Sequence, residues 1–278
     1  MVHVMQNESE ILDLSSIRAV QRNVDTTSEN YRFSDVRKRL EMFNDYGYHA
    51  VAANQAKVRD VTREGFQKFN IKLENPELNM LLPTIGKPQL LYQGSHDGTT
   101  AEKFLAALHI FVCSNGAVSS SGEIGDIRLT HVNNDEDAFR EALRQFISRI
   151  PKMVTSVEAW QNVKLDQHEQ LLLAQQAIEL RFDALTDSYG LPTKNFPVAA
   201  HEVLRPRRYG ENPTNLWNAY NNLQENLIEK GGVRGNRNAK GRRIGIRKVG
   251  GIDANTKLNQ GLWALTEKMA ELKGVTIQ

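Results

Sequence analysis

The 278-residue sequence has almost no cysteine and no long apolar run. Its single cysteine, Cys113, excludes an intramolecular disulfide and any zinc site built from several cysteines, and it fits a reducing compartment. No apolar stretch approaches the length that spans a bilayer, and the polar start MVHVMQNESE lacks the hydrophobic core of a signal peptide. We therefore expect a cytoplasmic protein with no membrane partner.

The motifs of several enzyme classes are also missing. The sequence has no G-x-x-x-x-G-K-[ST] phosphate loop, no G-x-G-x-x-G and no G-x-S-x-G. Its seven histidines are scattered, so it predicts no metal site and no cofactor. One polar trio at a turn, Ser95-His96-Asp97, could hold an anion and titrate near neutrality. A capping role for Asp97 beside an exposed His96 is the favoured interpretation, and no catalytic residue is predicted.

The residues that are present are typical of a globular α+β protein, with 40% hydrophobic and 24% charged side chains. Apolar runs separated by Pro and Gly predict a small mixed β-sheet with packed helices, its strands at 66–73, 80–85, 89–93 and 124–132. Residues 49–59 fit either a strand or a helix, and 37–43 fit a helix. The T-x-x-E spacing of Thr99 and Glu102 predicts a second helix, which runs to Val112 and ends at residues 114–116.

The second half of the sequence is predicted to be helical. An apolar stripe from Asp135 breaks at Pro151 and resumes to about Leu185, which indicates a long helical hairpin. Two further stripes, opened by Asn212-Pro213 and by Asp253, predict a C-terminal helix pair. We expect an N-terminal arm, an α+β core and a helical region, at residues 1–30, 31–150 and 151–278. The long helices would also suit a homo-oligomer.

One stretch, residues 229–251 with the sequence EKGGVRGNRNAKGRRIGIRKVGG, concentrates the positive charge. It holds eight Lys and Arg side chains and no acidic residue after Glu229, and without these cations the formal net charge would fall from +2 to −6. Its glycines predict a pliable loop, and arginine offers forked donors to phosphate oxygens. The composition favours a nucleic acid over a small anion. A solvated loop that only aids solubility is the plain alternative.

A second basic cluster lies beside Tyr209 in a proline-rich connector. The predicted phosphate contacts of the two stretches together are Arg205, Arg207, Arg208, Lys230, Arg234, Arg237, Lys240, Arg242, Arg243, Arg247 and Lys248. A flexible ribbon without a recognition-helix motif favours a single strand over a duplex. Trp217 and Tyr220 could stack on bases, but their helical spacing with leucines favours a place in the core.

Six short motifs occur in one order along the chain. They are Ala52-Ala-Asn-Gln55, Gly94-Ser-His-Asp-Gly-Thr99, Val112-Cys-Ser-Asn-Gly116, Leu216-Trp-Asn-Ala-Tyr-Asn221, Ile252-Asp253 and Leu258-Asn-Gln-Gly-Leu-Trp263. This order resembles the phage- and plasmid-borne family called domain of unknown function 932. It departs at Gly94-Ser95, where that family is expected to have Asn-Ser. The resemblance implies a mobile-element origin and life in the cytoplasm of a bacterial host, and it implies no particular reaction.

These observations support two hypotheses of different classes. The first is a non-enzymatic phage or plasmid protein that binds nucleic acid, with single-stranded DNA in replication, recombination or strand annealing as the expected substrate. The second is an interaction protein that inhibits a host defence or replication enzyme. The first predicts a salt-dependent affinity for DNA. The second predicts a stoichiometric complex with a host protein and no affinity for DNA.

Overall fold

The computed structural model describes residues 8–110, 116–118, 126–132, 135–182, 197–237 and 240–275. The chain divides into two compact units. The first comprises Met1–Gly116 and Gly122–Pro151, and the second comprises Ala117–Ser121 and Lys152–Gln278. Within the described ranges, no helix has the length and apolarity needed to cross a bilayer.

A β-sheet lies at the centre of the first unit, and with its helices it confirms the α+β class. Its strands are β1 (His49–Gln55), β2 (Phe69–Glu74), β3 (Gly86–Gly94), β4 (Glu102–Ile110), the short β5 (Gly116–Val118) and β6 (Ile127–Leu129). Strands β1 to β4 pair in chain order, and β6 pairs with β4. These pairings are all antiparallel, whereas the sequence predicts a mixed sheet. Consecutive strands joined by short connections pair in the antiparallel direction, because parallel pairing requires a long crossover connection.

The prediction of a helix beginning at Thr99 is wrong, because this stretch contains strand β4, paired with β3. All but two residues of β4 are buried, so apolar side chains fill both of its faces and leave no alternating pattern in the sequence. The T-x-x-E spacing also misleads, since Glu102 accepts a hydrogen bond from the Tyr92 hydroxyl at 2.5 Å instead of capping a helix. Residues 111–115, with Cys113 and most of the predicted helix end, lie outside the described residues.

Most other local predictions for the first unit are confirmed. Strand β2 lies in a stretch predicted as a strand, the ambiguous stretch 49–59 contains β1, and the helix expected at 37–43 is α2 (Val36–Asn44). The two strands expected between residues 80 and 93 are one strand, β3, preceded by a 3₁₀ turn. The predicted arm contains helix α1 (Glu8–Leu12) and the fully buried Ile11 and Ile17, so it contributes to the core of this unit.

Helices dominate the rest of the described chain. They are α3 (Glu136–Ile147), α4 (Ile150–Asn162), α5 (Gln167–Arg181), α6 (Ala200–Val203), α7 (Leu216–Gln224) and α8 (Ile252–Leu272). The predicted break at Pro151 is confirmed, since α3 has ended and Pro151 stands in the first turn of α4. The helix expected beyond it is interrupted, because Lys164 forms a β-bridge to Asn215 and a new helix begins after Asp166. The expected hairpin is therefore three shorter helices; residues 183–196 lie outside the described part.

An aromatic cluster fills the core of the second unit. The ring centroid of Trp160 lies 4.5 Å from that of Trp263 and 5.9 Å from that of Tyr220. Trp217, 5% exposed, stacks on Tyr220, which is 0% exposed. The preference for a core position of Trp217 and Tyr220 is confirmed, so neither ring is free to stack on a base.

Candidate nucleic-acid interface

The basic stretch predicted as a pliable loop forms a two-stranded antiparallel hairpin between α7 and α8, which corrects that prediction. Strand β7 spans Gly231–Arg237 and strand β8 spans Arg243–Arg247. Residues 238–239, between the strands, lie outside the described part of the chain. Val233 and Ile246 are 8% and 5% exposed, so one face of the hairpin packs onto the second unit. Burial of β-branched side chains on one face holds this segment extended despite its glycines.

Two β-bulges decide which side chains share a face of the hairpin. Arg234 lies opposite Gly245, and Arg237 lies opposite Arg243, so β7 advances three residues where β8 advances two. Residues directly opposite one another point to the same face of a sheet. The bulges therefore bring Arg234 and Arg237 onto the face that carries Arg243 and Arg247. We call these four exposed side chains the arginine face.

The arginine face is positively charged and open. Within the described residues none of its four guanidinium groups forms an ion pair, and Arg237 Nη1 donates to the carbonyl of Gly241 at 2.6 Å. Arg237 and Arg243 are cross-strand neighbours of like charge, an arrangement that is destabilising by itself. A Cβ atom at Gly245, between Arg243 and Arg247, would meet no atom within 4 Å. An extended anion can therefore approach the backbone between the guanidinium groups.

The opposite face of the hairpin is closed by direct backbone packing at Gly235. A Cβ atom there would lie 2.4 Å from the carbonyl oxygen of Pro197 and 2.6 Å from that of Ile244. The neighbouring Asn236 N–H donates to the Pro197 carbonyl at 2.6 Å. Only glycine fits this contact, so Gly235 permits close packing instead of providing flexibility.

Three of the predicted cations surround a buried carboxylate at the base of the hairpin. Glu225 is 2% exposed and begins a π-helical turn that continues α7. Arg208 Nη2 and Lys230 Nζ each lie 2.6 Å from its carboxylate oxygens, and Arg207 Nε lies 4.0 Å away. We call this group the Glu225 cluster. Arg208 and Lys230 neutralise this buried charge, so withdrawing both of them to a phosphate would leave the carboxylate without a close cation.

The remaining predicted cations are exposed. Lys240 and Arg242 lie between the two strands, Lys248 follows β8, and Arg205 lies in the segment after α6. Eight of the eleven predicted cations thus lie exposed outside the Glu225 cluster. The other three belong to the cluster, where Arg207 and Lys230 are also partly exposed.

The segment that carries Arg205 and Tyr209 is held by three asparagines that the sequence reasoning missed. Asn218, Asn222 and Asn226 are spaced four residues apart along α7 and the π-helical turn, and each side chain donates to two backbone carbonyls. Asn218 donates to the carbonyls of Gly210 and Asn212 at 3.4 and 3.0 Å. Asn222 donates to those of Leu204 and Glu211 at 3.0 and 2.8 Å, and Asn226 to those of Val203 and Arg205 at 2.8 and 3.0 Å. We call them the asparagine ladder. Their i, i+4 spacing was the available signal, since it places all three on one helix face.

The polar trio of residues 95–97 is closed to solvent. His96 is 1% exposed, so the expectation of an exposed ring is wrong. Its Nε2 lies 2.9 Å from the carbonyl oxygen of Ser16, and its Nδ1 has no hydrogen-bond partner within the described ranges. Burial lowers the pKa of His96, because an imidazolium would lose its hydration. Asp97 accepts the Thr99 N–H at 3.0 Å and pairs with Arg63 at 2.9 Å, so it caps a turn rather than a helix.

A buried carboxylate in the first unit, Glu102, is also satisfied by its own neighbours. It is 1% exposed, accepts the Tyr92 hydroxyl at 2.5 Å and lies 3.5 Å from Arg39. The Arg39 guanidinium in turn lies 4.2 Å from the centroid of the Phe139 ring. These contacts indicate a structural role. Among the residues that the structure describes, no group of three or more His, Cys, Asp and Glu could hold a metal ion.

Comparison with known proteins places the chain in a family. Residues 23–263 match the family described as Domain of unknown function (DUF932). The chain belongs to this family. The match includes the asparagine ladder and the arginine face, and it confirms the resemblance drawn from the short motifs.

Two relatives of the chain come from Escherichia coli (strain K12). The chain is 31% identical to the UPF0380 protein YafZ over 247 residues. This aligned region covers 88% of the chain and 84% of YafZ. The chain is 30% identical over 247 residues to the UPF0380 protein YfjQ, with the same coverage. No solved structure matches the chain. The description of the family names no activity.

Proposed function

We propose that this protein binds nucleic acid in the cytoplasm of a bacterial host, with the arginine face as its phosphate-contacting surface. One observation carries the proposal: four arginines from two strands point to one exposed face that holds no carboxylate partner within the described residues. Guanidinium groups present planar forks of donors that match phosphate oxygens.

The shape of the surface favours a chain of phosphates over a single small anion. The four arginines are spread along both strands, and the unobstructed backbone at Gly245 lies between them. The opposition of Arg237 and Arg243 costs stability in the free protein, and a bound polyanion would offset that cost. The exposed Arg205, Lys240, Arg242 and Lys248 extend the positive surface in the same unit.

The test is the salt dependence of binding. If the four arginines contact phosphates, log K should fall with log salt concentration at a slope of about −3 to −4. Replacing Arg234, Arg237, Arg243 and Arg247 together by Gln should flatten this slope and abolish most of the binding, measured by fluorescence anisotropy with labelled oligonucleotides.

A matched control removes the same charge elsewhere. Four exposed cations of the first unit, Lys38, Lys57, Arg59 and Arg128, are replaced by Gln. This variant should keep the wild-type slope and affinity. Equal losses in both variants would reduce the effect to net charge and contradict the proposal. A complex with a host protein and no affinity for any nucleic acid would instead support the interaction-protein hypothesis.

The finer form of the proposal is strand annealing in replication or recombination of a phage or plasmid. A surface that binds phosphates and leaves bases free would bring two complementary strands together. The wild-type protein should accelerate pairing of complementary labelled strands in an energy-transfer assay, and the four-glutamine variant should not. Tight binding without acceleration would restrict the role to strand protection.

A further inference from the structure

Tyr209 is the most exposed large hydrophobic side chain of the described chain. Its relative exposure is 106%, and its ring makes no aromatic contact or hydrogen bond with the described residues. An aromatic ring that is fully in water gains nothing for the fold, since its hydrophobic surface is not buried. Single exposed hydrophobic residues are common, so exposure alone indicates no site. Its setting is what distinguishes Tyr209.

The segment that presents Tyr209 is rigidly held. The asparagine ladder binds six backbone carbonyls between residues 203 and 212, three on each side of Tyr209. The next residue, Gly210, has a φ of 86°, a left-handed conformation that glycine adopts readily, and it lies in a turn with the tyrosine. A ring on a fixed backbone loses little conformational entropy when it binds a ligand.

The same segment is tied to the base of the hairpin. Arg207 donates through Nε to Asn226 Oδ1 at 2.8 Å and through Nη2 to the carbonyl of Gly231, the first residue of β7. Arg208, which directly precedes Tyr209, shares the carboxylate of Glu225 with Lys230. The Glu225 cluster thus fixes the tyrosine segment and the start of the hairpin to one buried charge.

We propose that Tyr209 is a stacking platform for an unpaired nucleobase of the strand whose phosphates lie on the arginine face. This inference rests on the proposed nucleic-acid binding and deepens it, because it selects a single strand. Bases of a duplex are covered on both faces by their neighbours, whereas the bases of a single strand can stack on an exposed aromatic ring.

The experiment compares three proteins on three probes. The proteins are wild type, Tyr209→Ala and Tyr209→Phe, and the probes are a single-stranded DNA oligonucleotide, a duplex of the same length, and a strand of abasic residues that keeps its phosphates. Tyr209→Ala should weaken binding of the single strand by about 5- to 100-fold and leave the other two affinities unchanged. Tyr209→Phe keeps the ring face and should bind the single strand as the wild type does.

A second readout reports the stacking itself. A single strand with 2-aminopurine should lose fluorescence on binding to the wild type and to Tyr209→Phe, and should lose less with Tyr209→Ala. Because the ring is fully exposed, all three proteins should unfold at the same urea concentration.

The outcomes separate this inference from the function on which it rests. Equal affinity of wild type and Tyr209→Ala for the single strand, with binding lost in the four-glutamine variant, would overturn the role of Tyr209 and leave phosphate binding in place. If Tyr209→Ala lost as much affinity for the abasic strand as for the single strand, Tyr209 would contact the backbone of the strand and not a base. That result would also overturn the inference. No binding of any probe by the wild type would contradict both.

Discussion

Two groups of cations in the same unit have opposite surroundings. The Glu225 cluster gathers Arg207, Arg208 and Lys230 around a carboxylate that is 2% exposed, whereas the arginine face holds four guanidinium groups with no acidic partner in the described chain. Both groups consist of basic residues, and both belong to stretches that the sequence marks as basic. The comparison shows that a count of positive charges overstates a binding surface, because only unpaired cations can exchange water for phosphate.

The two groups also differ in their expected effect on the fold. A charge pair with a buried partner is costly to break, because the remaining charge loses its compensation. Exposed guanidinium groups that repel one another do not stabilise the fold. Substitutions in the Glu225 cluster should therefore change stability, and substitutions in the arginine face should change binding.

The largest effect is expected from Glu225→Gln. This change removes the carboxylate shared by the three cations, while Arg208 keeps a second partner, Glu211, at 2.8 Å. That remaining pair and the partial exposure of Arg208 and Lys230 place the expected cost at the low end for a buried pair, about 3 kcal/mol. The free energy of unfolding in urea measures it. Glu271→Gln removes an exposed pair with Lys268 and should cost at most about 1 kcal/mol. If Glu225→Gln and Glu271→Gln lowered the free energy of unfolding equally, the Glu225 cluster would not be a special support of the fold.

A smaller loss of stability is expected from the asparagine ladder. Asn222 is 2% exposed and donates to the carbonyls of Leu204 and Glu211 at 3.0 and 2.8 Å, so Asn222→Ala should cost about 1–3 kcal/mol. If Tyr209 depends on this rigid segment, the same variant should lose affinity for single strands and keep its affinity for the abasic strand. Unchanged single-strand binding in a folded Asn222→Ala protein would show that the ladder serves stability alone.

The first unit extends the comparison to a buried group that has to stay neutral. Burial lowers the pKa of His96 below 6.5 in the folded state, so the unfolded chain binds the proton more tightly. The contribution of His96 to stability is therefore complete above about pH 6.5 and is lost as the pH falls from that value through the lowered pKa. Urea unfolding at stepwise lower pH should show this decline. His96→Gln, which cannot titrate, should show a shallower one, and identical slopes would contradict the assignment.

The sequence predicts those elements whose signals are local. Helices α2, α7 and α8 show one apolar stripe each, and the break at Pro151 follows from the chemistry of one residue. Strand β4 gives no such signal, because both of its faces are buried and its apolar residues therefore show no period. Secondary structure was thus predictable where one face meets water and ambiguous where neither does.

The candidate site was predictable in composition and not in geometry. The positive charge of residues 229–251 is visible in the sequence, but the two bulges that bring Arg234 and Arg237 onto the face of Arg243 are a property of strand register. The pairing of Arg208 with Glu225 joins residues 17 positions apart, and no local pattern indicates it. Glycine misled for a related reason, since Gly235 permits a close backbone contact that only the folded chain contains.

The smallest expected effect on stability comes from Arg243→Glu in the arginine face. It distinguishes this face from the Glu225 cluster most directly, because the variant should gain stability while it loses affinity for nucleic acid. Arg243→Glu would turn the repulsive cross-strand pair with Arg237 into an attractive one, which should raise the free energy of unfolding by about 0.2–1 kcal/mol. The same change places an anion among the phosphates and should weaken binding more than Arg243→Gln, which removes the repulsion without creating a pair. Urea unfolding and anisotropy on the same samples measure both quantities. Reduced stability in both variants would show that these guanidinium groups support the hairpin, as the cations of the Glu225 cluster support its base.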